Sequence, residues 1–142
     1  MGWLAPNPLE FSSSSGEAEQ WIQMASVFVV DDDQSAARFL ARALKLEGFE
    51  TAIFGSGEDF LQALETRVPS VVLLDHDLPG RNGLQVLETL RVTHAMPKVV
   101  MITGREALGL REAVLKAGAT GFAVKPIDLD ALFSLVNTAL EA

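Results

Sequence analysis

The sequence predicts an α/β fold in which a doubly wound, five-stranded parallel sheet carries helices on both faces. Short apolar segments alternate with helical patterns from about residue 26 onward. Three of these segments, Val-Phe-Val-Val, Val-Val-Leu-Leu and Val-Val-Met-Ile, are apolar at every position, as a parallel strand covered on both faces requires. Five β-α units in succession match the strand order 2-1-3-4-5 of a flavodoxin-like (βα)5 fold.

The strands are predicted where Val, Ile and Phe are dense and polar or turn residues stand on either side. Parallel strands joined by helices bring all their carboxyl ends to one edge of the sheet. The predicted strands are residues 26–31, 50–54, 70–75, 98–102 and 121–124.

Helical patterns fill the segments between and after the strands. The first helix ends at Gly48, a left-handed cap, and the second follows Ser56 and runs to residue 64. Asn82 caps the third helix, the fourth covers residues 105–117, and Asp128 caps the fifth. The apolar stripe of the first helix is formed by Phe39, Leu40, Ala43 and Leu44.

The first 23 residues differ from the rest of the chain and lack a sustained helical or strand period. Met24 is followed at once by the first strand, as a natural start would be. We therefore interpret residues 1–23 as a leader or tag outside the fold, and residues 24–142 as one domain. The alternative is a native tail in which Trp21 and Ile22 pack on the domain.

Composition excludes several classes of protein. No apolar run is long enough to span a bilayer, no secretory signal is present, and the chain has no cysteine. The formal net charge is −8, from 19 acidic and 11 basic residues, and no basic stripe suited to nucleic-acid phosphates is visible. We expect a cytoplasmic protein that binds neither nucleic acid nor membrane directly.

Polar groups follow the strands that flank the point where the strand order reverses. Ligands of such sheets bind beyond the carboxyl ends of the strands at this point, so we expect these groups to meet. They are Asp31, Asp32 and Asp33 after the first strand, Asp75 with His76 and Asp77 at the third, Thr103 and Gly104 at the fourth, and Lys125 at the fifth.

This set of residues indicates phosphoryl transfer to an aspartate. Converging carboxylates repel one another unless a hard cation such as Mg²⁺ joins them through oxygen ligands. A carboxylate beside such an ion can attack phosphorus and form an acyl phosphate. The ammonium of Lys125 and the hydroxyl of Thr103 are placed to bind the transferred oxygens, and Gly104 keeps the approach open.

The same segments resemble the signature set of receiver domains of response regulators, the CheY-like superfamily of two-component signal transduction. The resemblance covers residues 26–140. The segments are Val-Val-Asp31-Asp32-Asp33, Leu-Leu-Asp75-His76-Asp77-Leu78-Pro79-Gly80-Arg81-Asn82-Gly83, Met-Ile-Thr103-Gly104 and Val-Lys125-Pro126.

The resemblance implies a role for each site residue. Asp75 is the phospho-acceptor, and Asp32 and Asp75 ligate Mg²⁺ through their side chains. Asp77 ligates through its backbone carbonyl and Asp31 acts mainly through water. Lys125 pairs with the acidic cluster and then with the phosphoryl oxygens. The remaining implied features are the switch residues Thr103 and Phe122, and a cis bond between Lys125 and Pro126.

The resemblance also implies a regulatory protein and its partners. The chain would not be a turnover enzyme, although it would catalyse its own phosphorylation and dephosphorylation. A sensor histidine kinase, a phosphotransfer protein or a small acyl phosphate would donate the phosphoryl group. The face of the fourth helix, fifth strand and fifth helix would then change, acting on an output domain, a target protein or a second copy.

Simpler interpretations of individual residues stay open. Asp33 is better explained as the N-cap of the first helix than as a ligand. Asp77 could be a turn residue, Thr103 a strand-end hydroxyl and Lys125 a surface lysine, while Phe122 is also a core aromatic. His76 is expected to be exposed, and His94 to lie in a loop without a chemical role.

Three other functions share features with this sequence. Asp75-His76-Asp77 is an Asp-x-Asp motif, as in phosphatases of the haloacid-dehalogenase type, but it follows the third predicted strand and Pro79 stands two residues beyond it. A degenerate receiver that only binds proteins would have lost Asp75 or Lys125. A flavodoxin-like cofactor binder would need a Gly-rich phosphate loop after the first strand.

Overall fold

The computed structural model describes residues 25–93 and 96–142. The predicted leader and His94 lie outside these residues. The described chain alternates strands with helices throughout. The elements are β1 (Ser26–Val30), α1 (Gln34–Leu46), β2 (Glu50–Phe54), α2 (Gly57–Ala63), β3 (Val71–Asp75), α3 (Gly83–Arg91), β4 (Lys98–Thr103), α4 (Leu110–Lys116), β5 (Gly121–Val124) and α5 (Leu129–Glu141).

The sheet has the predicted topology. All neighbouring strands are parallel, and their order is β2-β1-β3-β4-β5. β3 is buried along its whole length because it pairs with β1 and β4 and helices cover both of its faces. The order reverses between β1 and β3, so the carboxyl ends of these two strands are direct neighbours.

A hydrophobic core lies on each face of the sheet. Alternate residues of a strand point to opposite faces, and in β1 Phe28 faces one core while Val29 faces the other. Phe28 packs with α2, α3 and α4 through residues such as Phe60 and Leu87. Val29 packs with α1 and α5 through residues such as Leu44. The apolar strands of the sequence are therefore buried on both sides, as predicted.

The predicted caps are confirmed by hydrogen bonds. Ser56 accepts from the N–H of Asp59 at 3.1 Å, and Asp128 accepts from the N–H of Ala131 at 2.8 Å. Asn82 and Gln85 form a reciprocal capping box at the start of α3, with both bonds at 2.9 Å. Gly48 adopts the left-handed conformation expected of a helix C-cap, with φ of 98°.

Two details of the predicted helices are wrong. α4 begins at Leu110 rather than at residue 105, because Gly109 before it is left-handed with φ of 81°. Phe39 is not part of the core stripe, since 59% of its surface is exposed. The apolar face of α1 is instead formed by Ala37, Leu40, Ala41, Ala43 and Leu44.

The described helices of the fold are too short or too polar for a membrane span. Within residues 25–93 and 96–142, none is both long and apolar enough to cross a bilayer.

Candidate functional site

Carboxylates from β1 and β3 meet at the carboxyl edge of the sheet. Asp31 directly follows β1 and Asp75 ends β3, and they are only 3% and 4% exposed. Asp32 lies beside them and is exposed. One oxygen from each of these three side chains lies within 4.8 Å of the others. The convergence predicted from the strand ends is thus present in the structure.

Lys125 brings a positive charge into this cluster from the end of β5. Its Nζ donates to Asp31 Oδ2 at 3.0 Å and to Asp75 Oδ2 at 3.2 Å. Partial burial lowers the pKa of Lys125, but the hydrogen bond to Asp31 and the negative charges of Asp75 and Asp31 outweigh it. The pKa of Lys125 is therefore raised, and the side chain stays an ammonium at neutral pH. Lys125 is not a plain surface lysine.

Asp75 is held in a defined orientation. Its Oδ1 accepts the backbone N–H of Asp77 at 3.0 Å, while its Oδ2 accepts from Lys125. Burial raises the pKa of Asp75, and the charge of Asp31 raises it further. The bond from Asp77 and the ammonium of Lys125 oppose this without cancelling it. The ionised carboxylate is thus less stable here than in water, which favours the binding of a cation beside it.

The donor set of the cluster fits a hard divalent cation. Three carboxylates and one ammonium leave two uncompensated negative charges among these four side chains. All the available ligand atoms are oxygens, which magnesium prefers over nitrogen or sulfur. Asp32 is exposed, so one side of the cluster is open to water, and Mg²⁺ in proteins usually keeps several water ligands.

Asp77 makes a contact that the sequence did not predict. Its Oδ2 accepts from the N–H of Gly104 at 2.8 Å and from the hydroxyl of Thr103 at 3.1 Å. The bond from Gly104, and after it the bond from Thr103, lowers the pKa of Asp77. The carboxylate of Asp77 therefore ties the end of β3 to the end of β4. The backbone N–H of Asp77 donates to Asp75 Oδ1.

The hydroxyl of Thr103 has two acceptors for its one proton. Besides Asp77 Oδ2, the backbone oxygen of Arg105 lies 2.9 Å from it. The residue is fully buried. Thr103 is therefore part of a hydrogen-bonded loop rather than an isolated strand-end hydroxyl, and its proton can be redirected without breaking the sheet.

Asp33 is an N-cap, as the simpler interpretation predicts. Its Oδ1 accepts from the N–H groups of Ser35 at 3.0 Å and Ala36 at 3.2 Å. Its own N–H donates to Asp31 Oδ1 at 2.9 Å. Asp33 therefore holds the first turn of α1 and orients Asp31, while its carboxylate stays outside the cluster of three.

Phe122 and His76 lie outside the cluster of three carboxylates. Phe122 is 6% exposed and belongs to the core, and the guanidinium of Arg111 lies 5.2 Å from its ring centroid. His76 is half-buried rather than exposed. Its Nδ1 is buried and has no hydrogen-bond partner among the described residues. The peptide bond between Lys125 and Pro126 is cis, as the resemblance implied.

Comparison with known proteins assigns the family. Residues 27–137 match the family model described as "Response regulator receiver domain". The chain belongs to the response regulator receiver family. A receiver domain is regulatory, and the described residues include an acidic cluster that could hold a metal ion.

Individual relatives of this receiver domain agree with the assignment. The DNA-binding transcriptional regulator NtrC of Klebsiella pneumoniae is 34% identical over 119 residues, which cover 84% of this chain and 25% of that protein. The DNA-binding response regulator MtrA of Mycolicibacterium smegmatis is 38% identical over 114 residues, covering 80% of this chain and 50% of that protein. The receiver chain thus spans between a quarter and a half of these two relatives.

A solved structure shows the same fold. The crystal structure of a CheY-like response regulator receiver domain protein from Methanospirillum hungatei aligns with this receiver domain at a TM-score of 0.77 and 27% identity. The alignment covers 83% of this chain and 94% of that one.

Proposed function

We propose that this receiver domain is a phosphorylation-dependent switch in which Asp75 accepts a phosphoryl group. The observation that carries the proposal is the setting of the Asp75 carboxylate. It is buried beside Asp31 and bonded to Lys125 and to the N–H of Asp77. Burial destabilises its charged form, as the raised pKa reports, and Lys125 lies where it can bind the negatively charged oxygens that a phosphoryl group adds.

The chemical step makes one bond and breaks another. An oxygen of Asp75 attacks phosphorus, and the bond from phosphorus to its donor breaks. The donor is a phosphohistidine of a sensor kinase, a phosphotransfer protein or a small acyl phosphate. Lys125 is within reach of the incoming phosphoryl oxygens because its Nζ already lies 3.2 Å from Asp75. An ammonium at this position stabilises the charge on those oxygens during the transfer.

Magnesium is the cofactor that the donor set supports best. Asp32 and Asp75 would bind it through their side chains, Asp77 through its backbone carbonyl, and Asp31 mainly through water. When bound, a dication neutralises negative charge on the transferring phosphoryl group.

Thr103 and Phe122 link the phosphorylated site to the rest of the domain. In the pairing of β4 with β5, Met101 is opposite Phe122 and Thr103 is opposite Val124, so Thr103 and Phe122 point to the same face of the sheet. A phosphoryl group adds acceptor oxygens that would draw the Thr103 hydroxyl away from Asp77. The resulting shift would change the α4-β5-α5 face.

The α4-β5-α5 face is where we place the output of the switch. It would act on an output domain, on a target protein or on a second receiver, in the cytoplasm. Phosphorylated receivers would then differ from unphosphorylated ones in what they bind.

A phosphatase of the haloacid-dehalogenase type is disfavoured by the state of Asp77. Such an enzyme uses its second Asp as a general acid, which must hold a proton near neutral pH. Here two hydrogen bonds lower the pKa of Asp77. We expect no turnover of para-nitrophenyl phosphate.

Intact-protein mass spectrometry tests the proposal. After incubation with acetyl phosphate and MgCl₂, the wild-type chain should gain the mass of one phosphoryl group, and the Asp75→Asn variant should gain none. Asp59→Asn, which removes an exposed carboxylate elsewhere, should be modified like the wild type. No added mass on the wild-type chain, or equal mass on the Asp75→Asn variant, would falsify the assignment.

A further inference from the structure

A second surface with an unusual charge distribution lies at the opposite edge of the sheet from β5. A groove of about 500 Å³ runs between α1 and the edge strand β2. Three cationic side chains line it, in a chain whose formal net charge is −8. They are Arg38, Arg42 and Lys45.

These cations have no internal counter-charge among residues 25–93 and 96–142. None of the three forms a salt bridge or a side-chain hydrogen bond with another described residue. α1 itself contains no acidic residue between Gln34 and Leu46. The spacing of i, i+4 and i+7 puts the three on one face of the helix, where like charges repel. The three cations were overlooked in the sequence because acidic residues elsewhere dominate the net charge, although their spacing in the first helix already places them on one side of it.

The other wall of the groove is an unpaired strand edge. The N–H of Glu50 donates to Ala25, and the oxygen of Phe54 accepts from Asp31. Backbone groups of alternate residues point the same way in a strand, so those of Thr51 and Ile53 point away from β1. Within the described residues no strand pairs with this side of β2. Ile53 is also 40% exposed.

From this geometry we infer that the groove is a docking surface for an extended acidic segment of a partner protein, which adds as a strand to the edge of β2. The backbone groups of Thr51 and Ile53 would pair with the added strand, as in other cases of strand addition. Carboxylates on one side of that strand would face the three cations, and the methylene groups of the same side chains would cover Ile53, which lines the groove with them. The acidic remainder of the receiver surface would repel the same segment, which directs it to this groove.

An extended polypeptide fits these observations better than a nucleic acid. Phosphates would account for the cations, but they would leave the free backbone groups of β2 without hydrogen bonds and Ile53 without an apolar contact. None of the residues of the acidic cluster lines this groove, so the inference does not rest on phosphorylation of Asp75.

Fluorescence anisotropy on the full chain provides the test. The probe is a fluorescein-labelled peptide of alternating Glu and Val, and its control carries Pro in place of the central Val, which removes a donor and blocks strand pairing. The first peptide should bind saturably and the second should not. Reversing one charge, as in Arg42→Glu, should weaken binding by about three- to fivefold. The triple variant Arg38→Glu, Arg42→Glu, Lys45→Glu should weaken it by about tenfold or more.

Two further variants separate the groove from general charge effects. Arg91→Glu reverses an exposed cation on α3 and should leave binding unchanged. Thr51→Pro removes an outward N–H while sparing the bonds to β1, and should abolish binding. This variant could also unfold the domain. The Pro-containing peptide therefore tests strand pairing without changing the receiver.

Several results would overturn the inference. They include no saturable binding, equal binding of the Pro-containing peptide, and an Arg91→Glu effect as large as that of Arg42→Glu. Tighter binding of a single-stranded DNA oligonucleotide would assign the groove to a nucleic acid. Tighter binding of a peptide of residues 12–24 would assign it to the chain's own segment. Self-association that the triple variant abolishes would assign it to a second copy.

Discussion

The surroundings of Asp75 change the stability of its charged form more than its chemistry alone would suggest. Burial raises its pKa, the charge of Asp31 adds to this effect, and Lys125 only partly offsets it. A carboxyl whose pKa is higher in the folded than in the unfolded chain makes the fold less stable as pH rises through that range. The negative charge of Asp75, which the proposed attack on phosphorus requires, is therefore a cost to the fold.

Replacing Asp75 by Asn should stabilise the domain in the absence of metal. At pH 7 we expect Asp75→Asn to unfold at a higher temperature, by about 1 kcal/mol or a few degrees. The difference should shrink as pH falls, and vanish below the unfolded pKa of about 3.9, where both states of the wild-type residue are protonated. Thermal melts followed by circular dichroism in EDTA measure it. Glu88→Gln, at an exposed position on α3, serves as the control, and a less stable Asp75→Asn at pH 7 would contradict the account.

The sequence predicts which side chains meet at the site because each lies at or beside the end of a strand. The strand order then brings these ends together, and with them Asp31, Asp32, Asp75 and Lys125. The contact of Asp77 with Thr103 and Gly104 could not be predicted, since it depends on the path of two loops. The sequence offers only a chemical hint of this contact. A carboxylate two residues beyond Asp75 can accept the N–H of the glycine that follows β4. The burial of His76 Nδ1 could not be predicted either, because it also depends on the path of a loop.

At the level of elements, the start of α3 is packed directly against the end of β3. A Cβ added to Gly83 would lie 2.7 Å from His76 Cα, 2.7 Å from Met101 Sδ and 2.9 Å from the backbone oxygen of Asp75. The N–H of Gly83 also donates to the oxygen of His76 at 3.0 Å. The glycine thus allows α3 to hold the backbone that follows Asp75.

Gly83→Ala should therefore destabilise the domain and disturb the site together. We expect a loss of about 2 kcal/mol, since overpacking against backbone cannot be relieved by rotating a side chain. Urea unfolding measures the stability, and the rate of phosphorylation by acetyl phosphate measures the site. Gly55→Ala is the matched control, because nothing lies within 4 Å of its added Cβ. Equal stability of the two variants would show that the close approach is not a constraint.

The start of a helix could be predicted from sequence where a side chain caps it. It could not be predicted where the backbone conformation alone sets the first residue. Ser56, Asn82 and Asp128 are recognisable N-cap residues, and all three accept the expected N–H. α4 has no side-chain cap, and its start is set by the left-handed Gly109. The exposure of Phe39 was missed because the pattern of α1 allows two phases, and packing on β1 and β2 selects the one with Phe39 outside.

For the whole molecule, the two cores and the acidic edge have opposite effects on stability. The sheet is buried on both faces, while the carboxyl edge gathers charge that the fold must tolerate. A ligand that binds only the folded state stabilises it by mass action, by about 2.7 kcal/mol at a concentration 100 times its Kd. Magnesium should therefore raise the unfolding temperature of the receiver.

This effect should be specific to the cluster. Melts in MgCl₂ should exceed melts in NaCl of the same ionic strength, and Asp32→Asn should reduce the gain because it removes one of the three clustered carboxylates. Asp130→Asn, at an exposed position on α5, should keep the full gain. Identical melting temperatures in the two salts would show that the cluster does not bind the ion.

The most direct test of the switch is a comparison of amide NMR spectra with and without beryllofluoride and MgCl₂. If Asp75 is the acceptor and Thr103 transmits its modification, signals of Thr103, Gly104 and Phe122 should shift in the wild-type receiver and stay in place in Asp75→Asn. Amides of β2, such as Ile53, should change little in either chain. A spectrum without shifts across α4, β5 and α5, or the same shifts in Asp75→Asn, would contradict the account.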